Sequence, residues 1–372
     1  MSSKTQSQIQ TLLLGTGITM NGNNPWDIHV LNERFYNRVL SQGSLGLGES
    51  YMDGWWECAA IDEFITRIFS IDVQSRLRKN RKEIALLLAS SLLNRQSQKR
   101  AFEVGEVHYD VGNKLYEAML DKRMVYTCGY WPNASDLDSA QEAKLDLVCR
   151  KIGLKAGDRV LDIGCGWGSF AKFAAEKYGA HVVGITISQE QLALAQKSCE
   201  GLDVELRYQD YREVDEKFDH IVSLGMFEHV GYKNYRDYMR VANRCLKDDG
   251  LFLLHTIGAT QSVTSTDPWI EKYIFPNSML PSLAQITKTV EPLFIIEDIH
   301  NFSADYDTTL MHWFANFENA WPLLKDQYSE RFYRMWKFYL LTCAASFRSR
   351  RNQLWQIVLS KKGVVGGYQS IR

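Results

Sequence analysis

The chain predicts an α/β fold: an open, Rossmann-like parallel sheet with helical insertions, plus a small, mainly helical N-terminal domain. Three observations carry this. From residue 158 onward, short apolar runs alternate with amphipathic segments, the pattern of βαβ units. A glycine-rich turn, VLDIGCGWG (160–168), joins the first apolar run to the helix after it. The chain has 372 residues, 45% hydrophobic and 23% charged, which is globular composition at a length suited to two domains.

Residues 1–100 read as a separate unit with helical patterns and a Gly-rich middle, SQGSLGLGESYMDGWW (41–56). It ends in RLRKNRKEIALLLASSLLNRQSQKR (76–100), which has eight Lys/Arg and one Glu around an apolar centre. Such a helix suits a membrane surface or an acidic partner, and equally an internal docking helix with solvated basic ends. Residues 101–372 form the second domain. VGEVHYDVGNKLYEAML is helical in period, and Ser135 or Asp136 caps a helix running to about 152. DRVLDIG reads as a parallel strand covered on both faces, and HVVGITI, DVELRYQD, DHIVSLG and GLFLLHTI as further strands. GSFAKFAAEKY, SQEQLALAQKSCE and NYRDYMRVANRCL are the helices between them. LFIIEDIH (293–300) and QLWQIVLS (353–360) close the sheet, after an insertion at 258–292 and two long helices over about 305–347.

The formal net charge of −1 gives no nucleic-acid signature. Seven cysteines, none in a CxxC pair, fit a reducing cytoplasm better than a disulfide framework or structural zinc. The first twenty residues lack the basic start, apolar stretch and cleavage site of a signal peptide. IALLLASSLL (84–93) is about half of the roughly 20 residues a membrane-spanning helix needs.

Chemistry-bearing residues gather where strands end. Gly164, Gly166 and Gly168 let the backbone approach a ligand, and Asp162 precedes the turn. The G-x-G-x-G spacing, and a second strand ending GITIS without an acidic residue, argue against a dinucleotide. The loop instead resembles the S-adenosylmethionine loop of class I methyltransferases. Thr186, Ser188 and Gln191 follow the second strand, and Gln209, Asp210 and Tyr211 the third. Their hydroxyl and amide groups suit a ribose, and an aromatic ring suits adenine. Glu228 closes the fourth strand and His255 the same end of the next. His229, adjacent to Glu228 but pointing elsewhere in an extended segment, reads as structural rather than catalytic.

Motifs spread over nearly the whole chain resemble the cyclopropane fatty acid and mycolic acid cyclopropane synthase family. They are SLGLGESYMDGWWEC (44–58), HYDVGN (108–113), YTCGYW (126–131), VLDIGCGWG, VGITIS (183–188), QDYR (209–212), GMFEHVG (225–231), LLHTIG (253–258), DPWIEKYIFPN (267–277), HNFSADYDTTLMHW (300–313) and AASFRSR (344–350). The resemblance implies a peripheral enzyme on the inner face of the cytoplasmic membrane, with a phospholipid bilayer surface as partner, assembled as a homodimer. Its reaction would pass a methylene from S-adenosylmethionine to a cis double bond of an acyl chain, giving a cyclopropane ring. The resemblance further implies a bound bicarbonate as base, caged by Cys128, Glu228, His255, Ile257 through its backbone, and Tyr306. Tyr126 and Thr127 would touch the cofactor, and the lead-in His108, Tyr109 and Asp110 would cover it. An anion beside Glu228 demands a raised pKa there. Cys343, on an apolar helix face without a neighbouring base, reads as structural. Two rivals stand: a methyltransferase of a small amine or hydroxyl, since plant alkaloid N-methyltransferases share several motifs, and a non-catalytic lipid-binding protein on the same scaffold.

Overall fold

A computed structural model describes residues 2–71 and 112–372. The basic stretch 76–100 and His108, Tyr109 and Asp110 lie outside the described residues.

The chain does not divide at residue 100. One compact unit gathers the described part of residues 1–93 with 265–276 and 306–352; the other holds 277–305, 353–372 and the described part of 94–264. The reason is packing. The late helix Glu330–Arg348 supplies an aromatic ring and guanidinium groups that the early helices need, and Ala304–Leu324 adds Asp307 to the same ion cluster. Trp56, fully buried, packs against Phe35, Tyr51, Phe64 and Phe338. Arg348 binds Asp62, Glu63 and Asp307, and Arg334 donates to Glu57 and to the carbonyls of Tyr51 and Trp56. The Gly-rich middle is a helix, Ser44–Met52. Its glycines answer to close approach: a Cβ on Gly48 would stand 2.4 Å from the Trp269 ring, and one on Gly46 2.4 Å from the Arg38 carbonyl oxygen.

The second unit is built on a seven-stranded sheet. Its strands are β1 (Arg159–Ile163), β2 (His181–Thr186), β3 (Val204–Tyr208), β4 (Phe218–Leu224), β5 (Leu246–Ala259), β6 (Ile295–Asn301) and β7 (Asn352–Ser360). They lie in the order β3-β2-β1-β4-β5-β7-β6. The first five in that order pair parallel, and β6 and β7 pair antiparallel. Helices Ser169–Tyr178, Gln189–Ser198 and Tyr235–Cys245 connect the parallel strands. Both sheet faces are covered, so alternate residues enter two different cores. Leu161, Val183 and Ile221 join one cluster, while Val160, Val182 and Val222 join the other. This is why β1 and β2 read as nearly unbroken apolar runs, whereas the edge strand β3, with Glu205 and Tyr208 exposed, does not. Burying each of these core side chains contributes about 1.5–3 kcal/mol. Asp136, rather than Ser135, caps the helix Leu137–Lys151 by accepting from Ser139 N–H at 2.8 Å.

The strand order reverses between β1 and β4. At such a switch point the loops diverge and leave a crevice at the carboxyl ends of the strands.

Candidate active site

A cavity of about 170 Å³ occupies that crevice. With room for on the order of ten waters, it suits a nucleoside-sized ligand rather than a single ion. Tyr126, Thr127, Asp162, Gly164, Gly166, Thr186, Ser188, Gln191, Asp210 and Tyr211 all line it. Gly168 does not. It starts the helix Ser169–Tyr178 in a left-handed conformation (φ 78°), and a Cβ there would lie 3.1 Å from Cys199 Sγ. Its glycine serves helix packing, not the ligand.

The other two glycines differ from each other. Gly164 (φ +82°) is held by a neighbour: a Cβ would meet Met226 at 2.7 Å. Gly166 (φ +55°) faces open space, with its nearest atom, Gln191 Nε2, at 4.0 Å. The cavity backbone is therefore bare where a ligand would lie.

Several lining groups are held in place by their own helix and turn starts. Thr186 Oγ1 accepts from Ser188 N–H (3.2 Å), and Ser188 Oγ accepts from Gln191 N–H (3.3 Å). Asp210 accepts from Arg212 N–H (2.9 Å) and Nη1 (2.7 Å). The Tyr211 ring is set edge-on to Tyr238 at 5.0 Å. Tyr126 packs edge-on to Tyr116 at 5.1 Å.

Thr127 is gripped twice from the helix Leu137–Lys151. Gln141 Nε2 donates to its carbonyl (2.7 Å) and Lys144 Nζ to its Oγ1 (2.6 Å). Lys144 is fully buried and lines the cavity. Burial pushes its pKa down to about 8, against the attraction of Asp121, Cys128 and Asp162. Burial pushes Asp162 up to about 7, with Lys144 opposing. Asp162 Oδ2 has no partner among the described residues. A buried oxygen left open is costly unless a ligand completes it. Bare glycine backbone, hydroxyls, amides and an open carboxylate together fit a cationic nucleoside such as S-adenosylmethionine.

Beside this cavity lies a second group. Gly225 N–H donates to the His255 carbonyl (2.9 Å), stitching the end of β4 to β5. Beyond Gly225 the chain turns through a 3₁₀ segment, Phe227–His229, not the extended path expected. As a result His229, expected to be structural, lines the cofactor cavity, while Glu228 turns toward β5. Burial holds His229 neutral, near pKa 4. Glu228 is 5% exposed. Its Oε1 accepts from Ile257 N–H at 2.7 Å, and Oε2 has no partner among the described residues. The backbone N–H of Ile257, expected to hold an ion, is thus taken by Glu228. Burial raises Glu228 to about 7, with that N–H resisting. This agrees with the raised pKa expected from the sequence.

His255 is buried on β5. Burial, then the charges of Lys144 and Lys151, hold its pKa well below the ordinary histidine range. Gln356 on β7 lies 3.3 Å from its Nδ1, and Nε2 has no partner among the described residues. Cys128 is fully buried, its Sγ donating to the Gly129 carbonyl at 3.1 Å. One residue earlier, Thr127 packs on Gly225, where a Cβ would meet its Cγ2 at 2.7 Å. Cys128, Glu228, His255 and Ile257 thus share one unit, at neighbouring segments. Tyr306 belongs to the other unit, where its ring stacks on Phe347 at 4.5 Å.

Sequence reasoning missed Lys144 and Gln356, though each left a signal. Lys144 continues the buried stripe of Leu137, Ala140, Gln141, Leu145 and Val148, so its ammonium had to point inward. Gln356 interrupts the apolar run of a strand covered on both faces.

Known proteins resemble the chain over most of its length. The family model for mycolic acid cyclopropane synthetase matches residues 96–357. The chain is 54% identical to a cyclopropane-fatty-acyl-phospholipid synthase of Escherichia coli K12, over 97% of this chain and 94% of that one. It is 39% identical to a probable fatty acid methyltransferase of Pseudomonas putida, over 68% of each. The structure of mycolic acid cyclopropane synthase CmaA1 complexed with SAH and CTAB superposes with a TM-score of 0.66 at 30% identity, covering 70% of this chain and 98% of that one. Coclaurine N-methyltransferase, at 19% identity and TM-score 0.68, shares the fold alone. The chain therefore belongs to the mycolic acid cyclopropane synthetase family, as an enzyme on the class I S-adenosylmethionine-dependent methyltransferase fold.

Proposed function

We propose that the enzyme converts cis double bonds of unsaturated phospholipid acyl chains to cyclopropane rings, with S-adenosylmethionine as donor and bicarbonate as base. The observation that carries this is the placing of Glu228, just beyond the end of β4, and of His255, on β5 opposite Leu224, both buried and each with one polar atom left open among the described residues. Methylation of an amine or hydroxyl also sheds a proton, from nitrogen or oxygen, whereas ring closure from an alkylated alkene must shed one from the transferred carbon; the likeness to a cyclopropane-fatty-acyl-phospholipid synthase supports the alkene here. When bound, S-adenosylmethionine supplies the electrophilic methyl, and bicarbonate supplies the base for that proton.

The chain's own residues have definite tasks in this reading. Asp162 and the Gly164–Gly166 backbone hold the cofactor, with Thr186, Ser188, Gln191, Asp210 and Tyr211 around its nucleoside, and Tyr126 and Thr127 over it. Glu228, near pKa 7, keeps a proton on Oε2 below neutrality and donates it to the anion rather than repelling it. His255 stays neutral and orients the ion. Cys128 completes the cage on this unit. Ile257 acts one step removed, by fixing the Glu228 carboxylate. Preorganised donors around an anion also stabilise cationic charge on the acyl chain.

The substrate resides in a bilayer, so the proposal includes a phospholipid surface as partner. No helix among the described residues is long and apolar enough to cross a membrane. Charge reversal at Arg76, Arg78, Lys79, Arg81 and Lys82 is expected to weaken binding to anionic vesicles, steeply with salt; unchanged binding by a folded protein would remove that segment from the proposal. The homodimer is checked by sedimentation equilibrium.

The deciding experiment is mass spectrometry of unsaturated phospholipid vesicles incubated with protein, S-adenosylmethionine and bicarbonate. Acyl chains should gain one CH2 and resist hydrogenation. Unmodified lipid, from folded protein that binds the cofactor, would favour a soluble acceptor instead.

A further inference from the structure

β7 is apolar through its middle except at Gln356, which is fully buried between Trp355 and Ile357. A buried amide is costly unless it is hydrogen-bonded, and an aliphatic side chain would suit this strand better. The contact that Gln356 makes is with catalysis in view: its Nε2 lies 3.3 Å from His255 Nδ1. The other ring close to His255 is Phe302, at 5.8 Å between centroids, which offers Nδ1 no conventional hydrogen bond.

We propose that Gln356 is a positioning residue that fixes the tautomer of His255. By donating to Nδ1 it keeps the imidazole proton on Nε2, so the ring presents an N–H to the anion site beside Glu228. This inference rests on the proposed role of His255 in holding bicarbonate.

The logic is that of a neutral imidazole, which has one donor nitrogen and one acceptor nitrogen. Whatever occupies Nδ1 decides which face Nε2 shows. An amide N–H at Nδ1 makes Nε2 a donor, and an anion needs donors. A carbonyl at Nδ1 would turn Nε2 into a lone pair, aimed at the ligand's own oxygens. Charges around the ring favour the neutral form in which this choice matters: Lys144 and Lys151 both act against an imidazolium. Gln356 itself never touches the ion.

The test is a two-bond proton–nitrogen correlation spectrum of the full chain labelled at histidine nitrogen, with His255→Asn identifying the His255 signals. In the wild type the proton is expected on Nε2. In Gln356→Met, which keeps the volume but has no N–H, the Nε2–H form should lose its exclusive population. In that variant KM for bicarbonate should rise about tenfold, the scale of one lost neutral hydrogen bond, with Kd for S-adenosylmethionine within about twofold. Gln356→Glu, near in shape, should place a proton on Nδ1, and serves if the methionine variant does not fold. Wild-type protonation at Nδ1, or one unchanged tautomer across folded variants, overturns the proposal. A wild type whose activity is indifferent to bicarbonate overturns the reading of the anion site instead, and the nitrogen spectrum tells the two failures apart.

Discussion

Two buried glutamates, one in each unit, show opposite fates for the same side chain. Glu49 lies on the helix Ser44–Met52 at 7% exposure, and Glu228 follows β4 at 5%. Burial alone would raise both. Around Glu49, hydrogen bonds from Lys272 (2.5 Å), Tyr273 (2.7 Å) and Arg38 (2.5 Å) more than offset it, and its pKa falls to about 2. Glu228 has the N–H of Ile257, an open oxygen, and a pKa near 7. The first carboxylate is fully committed to holding helices together. The second retains a coordination position and a proton that can move near neutral pH, which is what an anion-holding site requires.

The largest expected effect breaks this contrast at Glu228. Glu228→Gln keeps the shape and removes the titration, replacing a carboxylic-acid donor to the anion by a weaker amide, so kcat for lipid should fall by about ten- to a hundredfold while the melting temperature stays close to wild type. The wild type also has a direction with pH. As pH rises through about 7, Glu228 loses its proton and repels an anion, so KM for bicarbonate should climb with pH and be flat in the variant. A wild-type KM that falls over the same range would contradict the assignment.

The two cavity glycines sharpen the comparison within one loop. Gly164→Ala places a Cβ against Met226 at 2.7 Å in a left-handed backbone, so stability should drop by about 1–2 kcal/mol or more along with cofactor affinity. Gly166→Ala meets no protein atom closer than 4.0 Å. It should lose less stability, yet weaken S-adenosylmethionine binding by about tenfold or more, because the new methyl projects into the cavity. Calorimetric melting and titration of the two variants separate fold from ligand.

Glu49→Gln should do the reverse of Glu228→Gln. It leaves Arg38 and Lys272 without their buried carboxylate, at about 1–3 kcal/mol, and leaves cofactor affinity intact. The sign with pH follows from its depressed pKa. Glu49 binds its proton more weakly folded, near 2, than at its ordinary 4.5. Its stabilisation is therefore present above about pH 4.5 and lost as pH falls toward 2. The difference in urea stability between wild type and Glu49→Gln should shrink over that window; a constant difference would mean the ion cluster is not its source.

How much of this was legible depended on whether a signal was local. The strands, the helices between them and the glycine turn follow from period and φ demands carried by neighbouring residues, so the sheet and the cofactor loop could be read directly. The boundary at residue 100 could not. Arg334 and Arg348 find Glu57, Asp62 and Glu63 across some 280 residues of sequence, and no local pattern announces that meeting. The 3₁₀ turn at Phe227–His229 was hidden for a related reason. Its apolar lead-in looks like more strand, whereas Gly225 at φ +73° ends the extended run and exchanges the directions of Glu228 and His229.

The smallest expected effect tests whether a raised pKa is itself the mark of chemistry. Cys343, on the helix Glu330–Arg348, is pushed up to about 12 by burial, with Asp267 adding to the rise. Glu228 is raised by burial too, so direction alone does not separate them. The consequence differs with the group. Raising a carboxyl toward 7 brings its proton into the working range, while raising a thiol toward 12 removes it: at pH 8 about one part in ten thousand would be thiolate, the form that attacks. Alkene alkylation in any case needs no covalent enzyme intermediate. Cys343→Ser should accordingly change kcat by less than about twofold, and thiol reagents should label Cys343 far more slowly than a free cysteine of pKa about 8.5. Rapid labelling that tracks loss of activity in a protein still folded would mean that the helix opens in solution, and that burial there is weaker than around Glu228.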